Sequence, residues 1–542
     1  MTGMPRLLAP LFAIALLLLS GCGGRERDAD AAVKEGKFIM VVGADPQTLD
    51  PHVATGFVEY QVFLAIFEGL TRLDPRTSEP TFGAASRFVV DDDGRRYTFY
   101  LRPDGKWSNG DPVTAHDFAY SIQRILTASL GSEYAYFMFD LKNAREFHSG
   151  EITDFSKVGV EVVNDHTLVL TLNRATPYFP AMLLHQAWMP VHRASVEAAG
   201  PMADRNSRWA RPGTLVGNGP FKLVEWRNNE RLVVERNPHF YGAAGVRLNS
   251  IHFLPIENTD TGDRAFRAGQ VHVTNSLPPA RIALYREENN PDFRTNTYLG
   301  TAFVMFNTTR KPLDDPRVRK AISLACDRRT LVERVSRAGQ EPAGSFTPPG
   351  TAGYEPPLNP LFDPEAARAL LAEAGYPGGK GFPTLEATFP SSNNTQLVME
   401  AVQEMWRREL GISVKLANIE WKVFLDNLSG LNYDIALMSW VGDYIDPNTF
   451  LTTMLGNSGN NRTGWKNPQF DALMDRAGDS PERGARFLRL REAERILLDD
   501  QPIAPIWHLT RSYLIHPAVR GYYPNLLDLH PYQDVWLEEV KP

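Results

Sequence analysis

Two carboxylates and two aromatic rings lie close together in the stretch MSWVGDYIDPNTF, residues 438–450. The acids are Asp443 and Asp446, and the rings nearest to them are Trp440 and Tyr444. Carboxylates in such a cluster can bind a metal, transfer protons or pair with a cation, and aromatic rings can form a pocket wall. The stretch is therefore a candidate active site, metal site or binding wall, with a buried strand that ends in a turn as the structural alternative.

The flanking residues explain part of this stretch without any ligand. The run NYDIALMSW predicts a buried strand whose side chains alternate between two faces. One face holds Ile435 and Leu437, and the other holds Ala436 and Met438. The next residues, Asp446-Pro447-Asn448, predict a helix start, with Asp446 as the N-cap and Pro447 at the first helical position.

Asp443 has no such local explanation. It follows Gly442, which allows the backbone to approach a partner closely, and it stands at the carboxyl end of the predicted strand. Ligands of open α/β sheets bind at the carboxyl ends of strands. The residues alone leave two interpretations of Asp443 equally open: a carboxylate that pairs with a cation inside a closed cleft, or an exposed turn residue.

Motifs for catalysis and metal binding are absent from the sequence. It contains no G-x-S-x-G, H-E-x-x-H or G-x-x-x-x-G-K-[ST] pattern. The 12 histidines are scattered, and Pro190 separates His185 from His192, whose spacing is otherwise compatible with one helical face. We expect neither a metal nor another cofactor, and an exported hydrolase is a remote alternative.

The N-terminus predicts export and lipidation. An apolar run over residues 7–19 is too short to span a membrane comfortably and suits a secretory signal, and it ends in Leu-Ser-Gly-Cys22, which resembles a bacterial lipobox. We predict a lipoprotein signal peptide over residues 1–22 with Cys22 lipidated, and a flexible tether over residues 23–36. A plain cleaved signal is the alternative. The remaining cysteine, Cys326, lies in an amphipathic helical pattern and is expected to be a buried structural thiol.

Length, charge and patterning indicate a large α/β protein. At roughly 100–200 residues per domain, the 542 residues suggest two to four domains. The net charge of −7 gives no basic footprint for nucleic acid. The segments TLEATF, residues 395–411 and ISVKLANI predict a β-α-β unit and hence a parallel sheet. In FDPEAARALLAEAGYP, Asp363 and Pro364 predict a helix start and Gly375 its end.

Several blocks in a fixed order carry a resemblance to a known family. They include residues 48–70, KWSNGDPVTAHDFAYSIQRIL (106–126), GNGPFKLVEW (217–226), NPHFYG (237–242), DDPRVRKAISLACDRRTLV (314–332), LLAEAGYP (370–377), EWKVFLDNL (420–428) and the stretch 438–450. From about residue 37 to residue 540 the chain resembles the periplasmic oligopeptide-binding proteins, the substrate-binding subunits of peptide ABC importers in extracellular solute-binding protein family 5.

The resemblance implies a two-lobed α/β fold of the large three-domain type, with mixed sheets. Lobe I is discontinuous, with residues 37–67, 195–299 and 510–542; residues 68–194 form a smaller inserted domain and residues 300–509 form lobe II. A hinge closes both lobes over a cleft that holds an extended peptide. The expected protein is an extracytoplasmic, lipid-anchored monomer that delivers short peptides to permease subunits.

The resemblance also implies roles for individual residues. Asp443 matches the carboxylate that pairs with the α-amine of the peptide, and Asn275 matches a polar cleft position. Aromatic walls are implied at Trp440, Trp421, Tyr134 and Phe303. Backbones that flank the peptide are implied at Thr55, Gly56 and Phe57 on one side, and at Ser439, Trp440, Val441 and Gly442 on the other.

The sequence departs from the family pattern at the other end of the ligand. Basic side chains for the peptide carboxylate are expected at positions that here read Ser336, Thr395 and Leu437, and Leu428 is apolar as well. Arg337 is adjacent and is a possible substitute. The departure keeps a second ligand class open within the same fold, such as a muropeptide, a dipeptide-like compound, a sugar or a nickel chelate.

Overall fold

The computed structural model describes residues 28–390 and 393–540. Its strands are β1 Lys37–Val42, β2 Thr71–Leu73, β3 Pro80–Phe82, β4 Ala85–Val90, β5 Arg96–Leu101, β6 Val160–Asn164, β7 Thr167–Thr171, β8 Phe221–Arg227, β9 Arg231–Arg236, β10 Ser250–Pro255, β11 Phe293–Phe306, β12 Glu341–Pro342, β13 Leu385–Pro390, β14 Val414–Ile419, β15 Ile435–Val441, β16 Ile503–Leu514, β17 Val519–Arg520 and β18 Trp536–Leu537. Its α-helices are α1 Asp28–Lys34, α2 Phe57–Ile66, α3 Ala115–Leu126, α4 Ala144–Ser149, α5 Phe179–Met182, α6 Arg193–Ala198, α7 Thr259–Arg267, α8 Pro279–Glu287, α9 Pro316–Leu324, α10 Arg328–Thr330, α11 Pro364–Glu373, α12 Asn393–Leu410, α13 Trp421–Ser429, α14 Asn448–Leu451, α15 Pro468–Gly478 and α16 Arg483–Asp500.

The largest sheet contains six strands in the order β12-β16-β11-β15-β13-β14. β13 and β14 pair in parallel and α12 connects them, which confirms the β-α-β unit expected from the sequence. Helices α9, α11 and α12 pack on one face, and α15 and α16 pack on the other. The alternation predicted for β15 is confirmed, because Ile435 and Leu437 join the first core while Ala436 and Met438 contact the second.

Two four-stranded sheets and two short two-stranded sheets, β2-β3 and β17-β18, form the rest of the framework. The sheet β1-β10-β9-β8 combines one parallel pair with antiparallel neighbours and packs around Phe38, Trp209 and Phe253. The sheet β4-β5-β7-β6 is antiparallel throughout and packs around Phe99 and Trp107. The bounds of the lobes and of the inserted domain stay a prediction.

Two long strands, β11 and β16, connect the first of these four-stranded sheets with the six-stranded sheet. Just after β16, Ile515 bridges Val273, which in turn bridges Met40 of β1. The pairing of β11 with β16 is irregular between Thr297 and Thr301. An interrupted ladder bends more readily than a continuous one, so a hinge is expected at this position.

Local sequence signals are confirmed in several elements. The Asp363 side chain accepts a hydrogen bond from the Ala366 N–H at the start of α11, and Pro364 occupies the first helical position. The Cys326 thiol is free and only 1% exposed, and burial raises its pKa to about 11, as suits a structural rather than a reactive thiol.

The expectation of a flexible tether over residues 23–36 is wrong for its described part. Residues Asp28–Lys34 form α1, in which Ala29 and Ala32 are buried. The Ala29 N–H donates to the Gly269 carbonyl, and the His272 ring contacts the Ala29 carbonyl at 3.0 Å. Small alanine side chains allow the helix backbone to dock against the protein. The predicted signal peptide, Cys22 and residues 23–27 lie outside the described residues.

None of the helices formed by residues 28–390 and 393–540 is long and apolar enough to cross a membrane.

Candidate ligand-binding site

One edge of β15 is open within the part of the chain that the structure describes. Along this edge, β13 pairs only with Ile435 and Ala436, the first two residues of β15. On the opposite edge, the Gly442 N–H donates to the Leu299 carbonyl, which sets the register with β11. Hydrogen bonds to β11 then fall at every second residue, so the main-chain groups of exposed Ser439 and Val441 point to the open edge. This edge can accept a further strand.

Asp443 lies directly after the open edge, and its carboxylate has no cationic partner among the described residues. Its main-chain N–H donates to the Thr449 hydroxyl at 3.1 Å. Burial raises the pKa of the carboxyl group to about 6, against the opposing effect of a hydrogen bond from the Tyr136 hydroxyl. Tyr134 and Tyr298 also lie within electrostatic range. A half-buried carboxylate whose electrostatic neighbours are tyrosine hydroxyls is suited to pair with a cation.

Two of the aromatic residues predicted to line the site are tryptophans. The Trp440 indole donates from Nε1 to the Thr449 carbonyl at 2.9 Å, which fixes its ring. Trp421 begins α13 and is 51% exposed, and its ring stacks on Phe424 with centroids 5.9 Å apart. An exposed tryptophan braced by a second ring is suited to cover an apolar or planar ligand group.

The segment Thr55–Phe57 lies next to the same region, through its contact with Tyr134. The Tyr134 hydroxyl donates to the carbonyl of exposed Thr55 at 3.4 Å. An added Cβ at Gly56 would lie 2.0 Å from a carboxylate oxygen of Glu59, so a larger residue would have to displace that side chain. That carboxylate also accepts the Gln47 N–H at 2.7 Å, so it holds the loop before α2 in place.

Arg511 joins two predicted site residues that are far apart in sequence. Its Nη2 donates to the Asn275 side-chain oxygen at 3.4 Å, and its guanidinium lies 4.8 Å from the centre of the Phe57 ring. The Tyr298 ring lies 5.4 Å away, and Asp528 accepts from Nε at 2.8 Å. Sequence reasoning missed Arg511, since its partners come from four separate segments.

Phe303 lies in the core and not in the wall of a pocket. Its side chain is 6% exposed and meets Phe346 edge-on, with centroids 5.3 Å apart. Leu437 is likewise buried, at 7% exposure. Both lie in the centre of the six-stranded sheet, where strand residues face the packed helices on either side. The pocket-wall role implied for Phe303 is therefore not what its packing indicates.

Gly442 serves the packing of the sheet. A Cβ at this position would lie 2.8 Å from Leu299 and 2.8 Å from Thr449. The backbone at Gly442 thus closely approaches the side chains of Leu299 and Thr449, as the sequence leads us to expect of a partner. The Gly442 N–H donates its hydrogen bond to β11.

Replacement of Gly442 by Ala is therefore expected to lower the free energy of unfolding by about 1–3 kcal/mol, because the added methyl group overpacks a closed core. Gly245→Ala is the matched control, since nothing lies within 4 Å of the position that its Cβ would take. Urea denaturation of both variants measures the difference. Equal denaturation midpoints for the two variants would show that the sheet absorbs the methyl group.

Asp446 does more than begin a helix. Its side chain accepts from the Asn448 N–H at 2.9 Å, but Pro447 is the N-cap residue and α14 begins at Asn448, one residue later than expected. Its carboxylate also forms a two-pronged ion pair with Arg486, and both groups are buried. The guanidinium lies 4.9 Å from the Tyr178 ring centre. Sequence reasoning missed this pair because Arg486 is on α16, 40 residues away.

The positions expected to be basic supply no cation to the site. The Ser336 hydroxyl is buried and donates to the Gln340 side chain at 2.7 Å. Thr395 is half-buried near the start of α12. Arg337 has a positive φ of 51° and lies 3.9 Å from Glu287 of α8. The Arg337 guanidinium is therefore already paired with the exposed carboxylate of Glu287.

A cavity of about 330 Å³ contains the Asp443 carboxylate and is named the Asp443 cavity. Its lining includes Tyr136, Asp140, Arg145 and Arg174 from one part of the chain, and from another part Trp440, Asp443, Tyr444, Asn448, Thr449, Thr452, Thr453, Ser458 and Asn460. A larger cavity of about 1500 Å³ lies elsewhere, between the loop 349–358 and helices α15 and α16, and it contains none of the predicted site residues.

The described residues include no group of three or more His, Cys, Asp or Glu that could hold a metal.

Comparison with known families identifies the fold and the class of protein. Residues 79–462 match the family model described as bacterial extracellular solute-binding proteins, family 5 Middle. The chain belongs to this family. One family 5 relative, the periplasmic murein peptide-binding protein MppA of Escherichia coli, is 36% identical over 494 residues, which are 90% of each chain.

Solved structures of family 5 proteins superpose on this chain over nearly its whole length. The unliganded open form of the murein tripeptide-binding protein MppA gives a TM-score of 0.82 at 34% identity and covers 93% of this chain and 98% of its own. The complex of Haemophilus influenzae OppA with the peptide RPPGFSPFR gives 0.76 at 31% identity and covers 93% and 99%. The two-lobed fold expected from the resemblance is confirmed.

Proposed function

We propose that this family 5 protein captures short peptides in extended form and delivers them to the permease of an ABC importer. The observation that carries the proposal is Asp443, a half-buried carboxylate without a cationic partner among the described residues, at the end of an open strand edge. A peptide that pairs with Ser439 and Val441 as an added strand places its α-ammonium at this carboxylate.

The constant backbone of the peptide supplies most of the recognition in this proposal. Ser439 and Val441 offer main-chain groups on one side, and the segment Thr55–Phe57 offers them on the other. Trp421, Trp440 and Tyr134 cover the ligand, and Asn275 contributes a polar contact held by Arg511. Closure about the irregularity in β11 and β16 then removes the ammonium from water and strengthens its pairing with Asp443.

A murein peptide is the second candidate ligand. The relative MppA is named for binding murein peptides, and Ser336, Thr395 and Leu437 offer no positive charge for an ordinary peptide carboxylate. A ligand with a modified or more distant carboxyl end fits these positions better than a free tripeptide does. In either case the amine end of the ligand is read by Asp443.

We also propose that Cys22 is lipidated and anchors the protein outside the cytoplasm, that it works as a monomer, and that it has no catalytic activity. A large exported protein with one free buried thiol, Cys326, relies on its cores for stability. Mass spectrometry of the protein extracted from membranes tests the lipid on Cys22.

The proposed function is tested by binding to protein that has been freed of co-purified ligand. Residues 23–542 are denatured, refolded and screened with peptides of two to eight residues by thermal shift. Peptides with a free amine are expected to raise the Tm in proportion to RT ln(1 + [L]/Kd). If no peptide of any length shifts the Tm while the refolded protein unfolds cooperatively, the proposed function is wrong.

The raised pKa of Asp443 predicts a pH dependence of peptide binding. In the ligand-free protein the carboxyl group titrates near pH 6, so below that pH it is protonated and cannot pair with an ammonium group. Binding lowers this pKa and releases a proton. Affinity for a free-amine peptide is expected to fall about tenfold from pH 7.5 to pH 5, because only about a tenth of the carboxyl groups are then ionised.

Isothermal titration calorimetry at the two pH values measures this fall, and Asp443→Asn is the control. The variant lacks the titrating group and is expected to show no such fall. An equal pH dependence in both proteins would assign the titration to a different group.

A further inference from the structure

The lining of the Asp443 cavity includes positive charge. Arg145 of α4 and Arg174, which follows β7, both line it, together with the acid Asp140. The Arg145 guanidinium lies 4.6 Å from the centre of the Phe139 ring and forms no ion pair with a described residue. Arg174 lies 3.8 Å from Asp475, a carboxylate that is 75% exposed.

Both arginines influence the pKa of Asp140, and neither influences that of Asp443. Burial raises the pKa of Asp140, and Arg174 and Arg145 oppose that rise, so the two guanidinium groups lie within electrostatic range of Asp140. The pKa of Asp443 responds only to burial and to Tyr136. The lining of the cavity therefore combines the Asp443 carboxylate, which has no cationic partner among the described residues, with two guanidinium groups and the Asp140 carboxylate.

We propose that this cavity receives the side chain of the ligand's first residue and prefers a side chain that ends in a carboxylate. The inference rests on the proposed function, which places the α-ammonium at Asp443. The first side chain leaves the atom next to that ammonium, and the cavity of about 330 Å³ is the space beside it. An acidic side chain reaches Arg145 and Arg174, whereas a basic one meets them as like charges.

The test compares tripeptides that differ only in the first residue. Glu-Ala-Ala and Gln-Ala-Ala have nearly the same shape, so their affinity ratio isolates the charge. By calorimetry at pH 7.5, the refolded protein is expected to bind Glu-Ala-Ala about tenfold more tightly than Gln-Ala-Ala, as suits partly exposed charge-assisted hydrogen bonds. Lys-Ala-Ala is expected to bind more weakly than Gln-Ala-Ala.

Variants assign the preference to the cavity. In the double variant Arg145→Ala and Arg174→Ala, the affinity ratio of Glu-Ala-Ala to Gln-Ala-Ala is expected to fall close to one. Arg87→Ala is the matched control and keeps the ratio, because Arg87 also lies over a ring, that of Tyr100 at 3.6 Å, but outside the cavity.

The outcomes separate this inference from the proposed function. Equal affinities for the Glu and Gln peptides, or a preference that survives in the double variant, would overturn the inference while peptide binding itself stands. If no tripeptide or longer peptide binds at all, the proposed function fails and this inference fails with it.

Discussion

Replacement of Asp443 by Asn is expected to weaken the binding of a free-amine tripeptide by about 2–5 kcal/mol, because an ammonium group in a closed cleft then has no opposite charge. The Asn side chain keeps the shape of the carboxylate, so the loss reports the charge. The residue 443 N–H still donates to Thr449, which preserves the local turn. Calorimetric titration of the refolded variant measures the loss.

Two controls assign this loss to recognition of the amine. An N-acetylated form of the same peptide carries no ammonium group and is expected to bind native protein and Asp443→Asn with similar, weak affinity. Asp479→Asn removes the same charge at an exposed position directly after α15 and is expected to leave binding unchanged. Equal losses for free and acetylated peptides would show that Asp443 does not read the amine.

Replacement of Asp446 by Ala is expected to lower the free energy of unfolding by about 3–5 kcal/mol, because it leaves the buried Arg486 guanidinium without its counter-charge. The same guanidinium lies over Tyr178, whose ring stacks on Tyr444 with centroids 5.5 Å apart. The loss of stability therefore includes a weaker contact between the segment that contains Tyr178 and the segment that contains Tyr444. Urea denaturation of the ligand-free protein measures it.

The paired replacement Asp446→Leu with Arg486→Met removes both charges and is expected to cost much less than Asp446→Ala alone. Glu79→Ala breaks an exposed ion pair with Arg483, 3.3 Å long, and serves as the surface control with no measurable change in midpoint. A midpoint for Asp446→Ala that matches the control would mean that the buried pair contributes no net stability.

The elements that the sequence predicts well are those whose signals are local. Asp363 and Pro364 are adjacent to the helix that they begin, and the alternation from Ile435 to Met438 depends only on strand geometry. The same holds for the buried thiol of Cys326, which follows α9 and joins the core that the apolar face of this helix packs into. Such patterns are predictable because the interacting residues are neighbours in the chain.

The site residues that the sequence misses depend on contacts between distant segments. Arg486 meets Asp446 across 40 residues, and Arg511 meets Asn275 across 236. Neither arginine stands in a pattern that distinguishes it from a surface residue. For the same reason the sequence predicts that Gly442 approaches a partner closely but not that its neighbours are Leu299 and Thr449.

The resemblance supplies what local physics leaves open at Asp443. From the residues alone, an exposed turn acid and an ammonium partner are equally consistent with its position. The structure adds the half-buried setting, the tyrosine hydroxyls and the open edge of β15, none of which a single sequence can display.

A crystal structure of the refolded protein with a bound free-amine tripeptide tests the proposed mode of binding most directly. We predict the α-ammonium nitrogen within about 2.7–3.2 Å of an Asp443 carboxylate oxygen, and the peptide backbone paired with Ser439 and Val441. A peptide that runs in the opposite direction, with its carboxyl end near Asp443, or one that lies away from the β15 edge, would contradict this mode of binding.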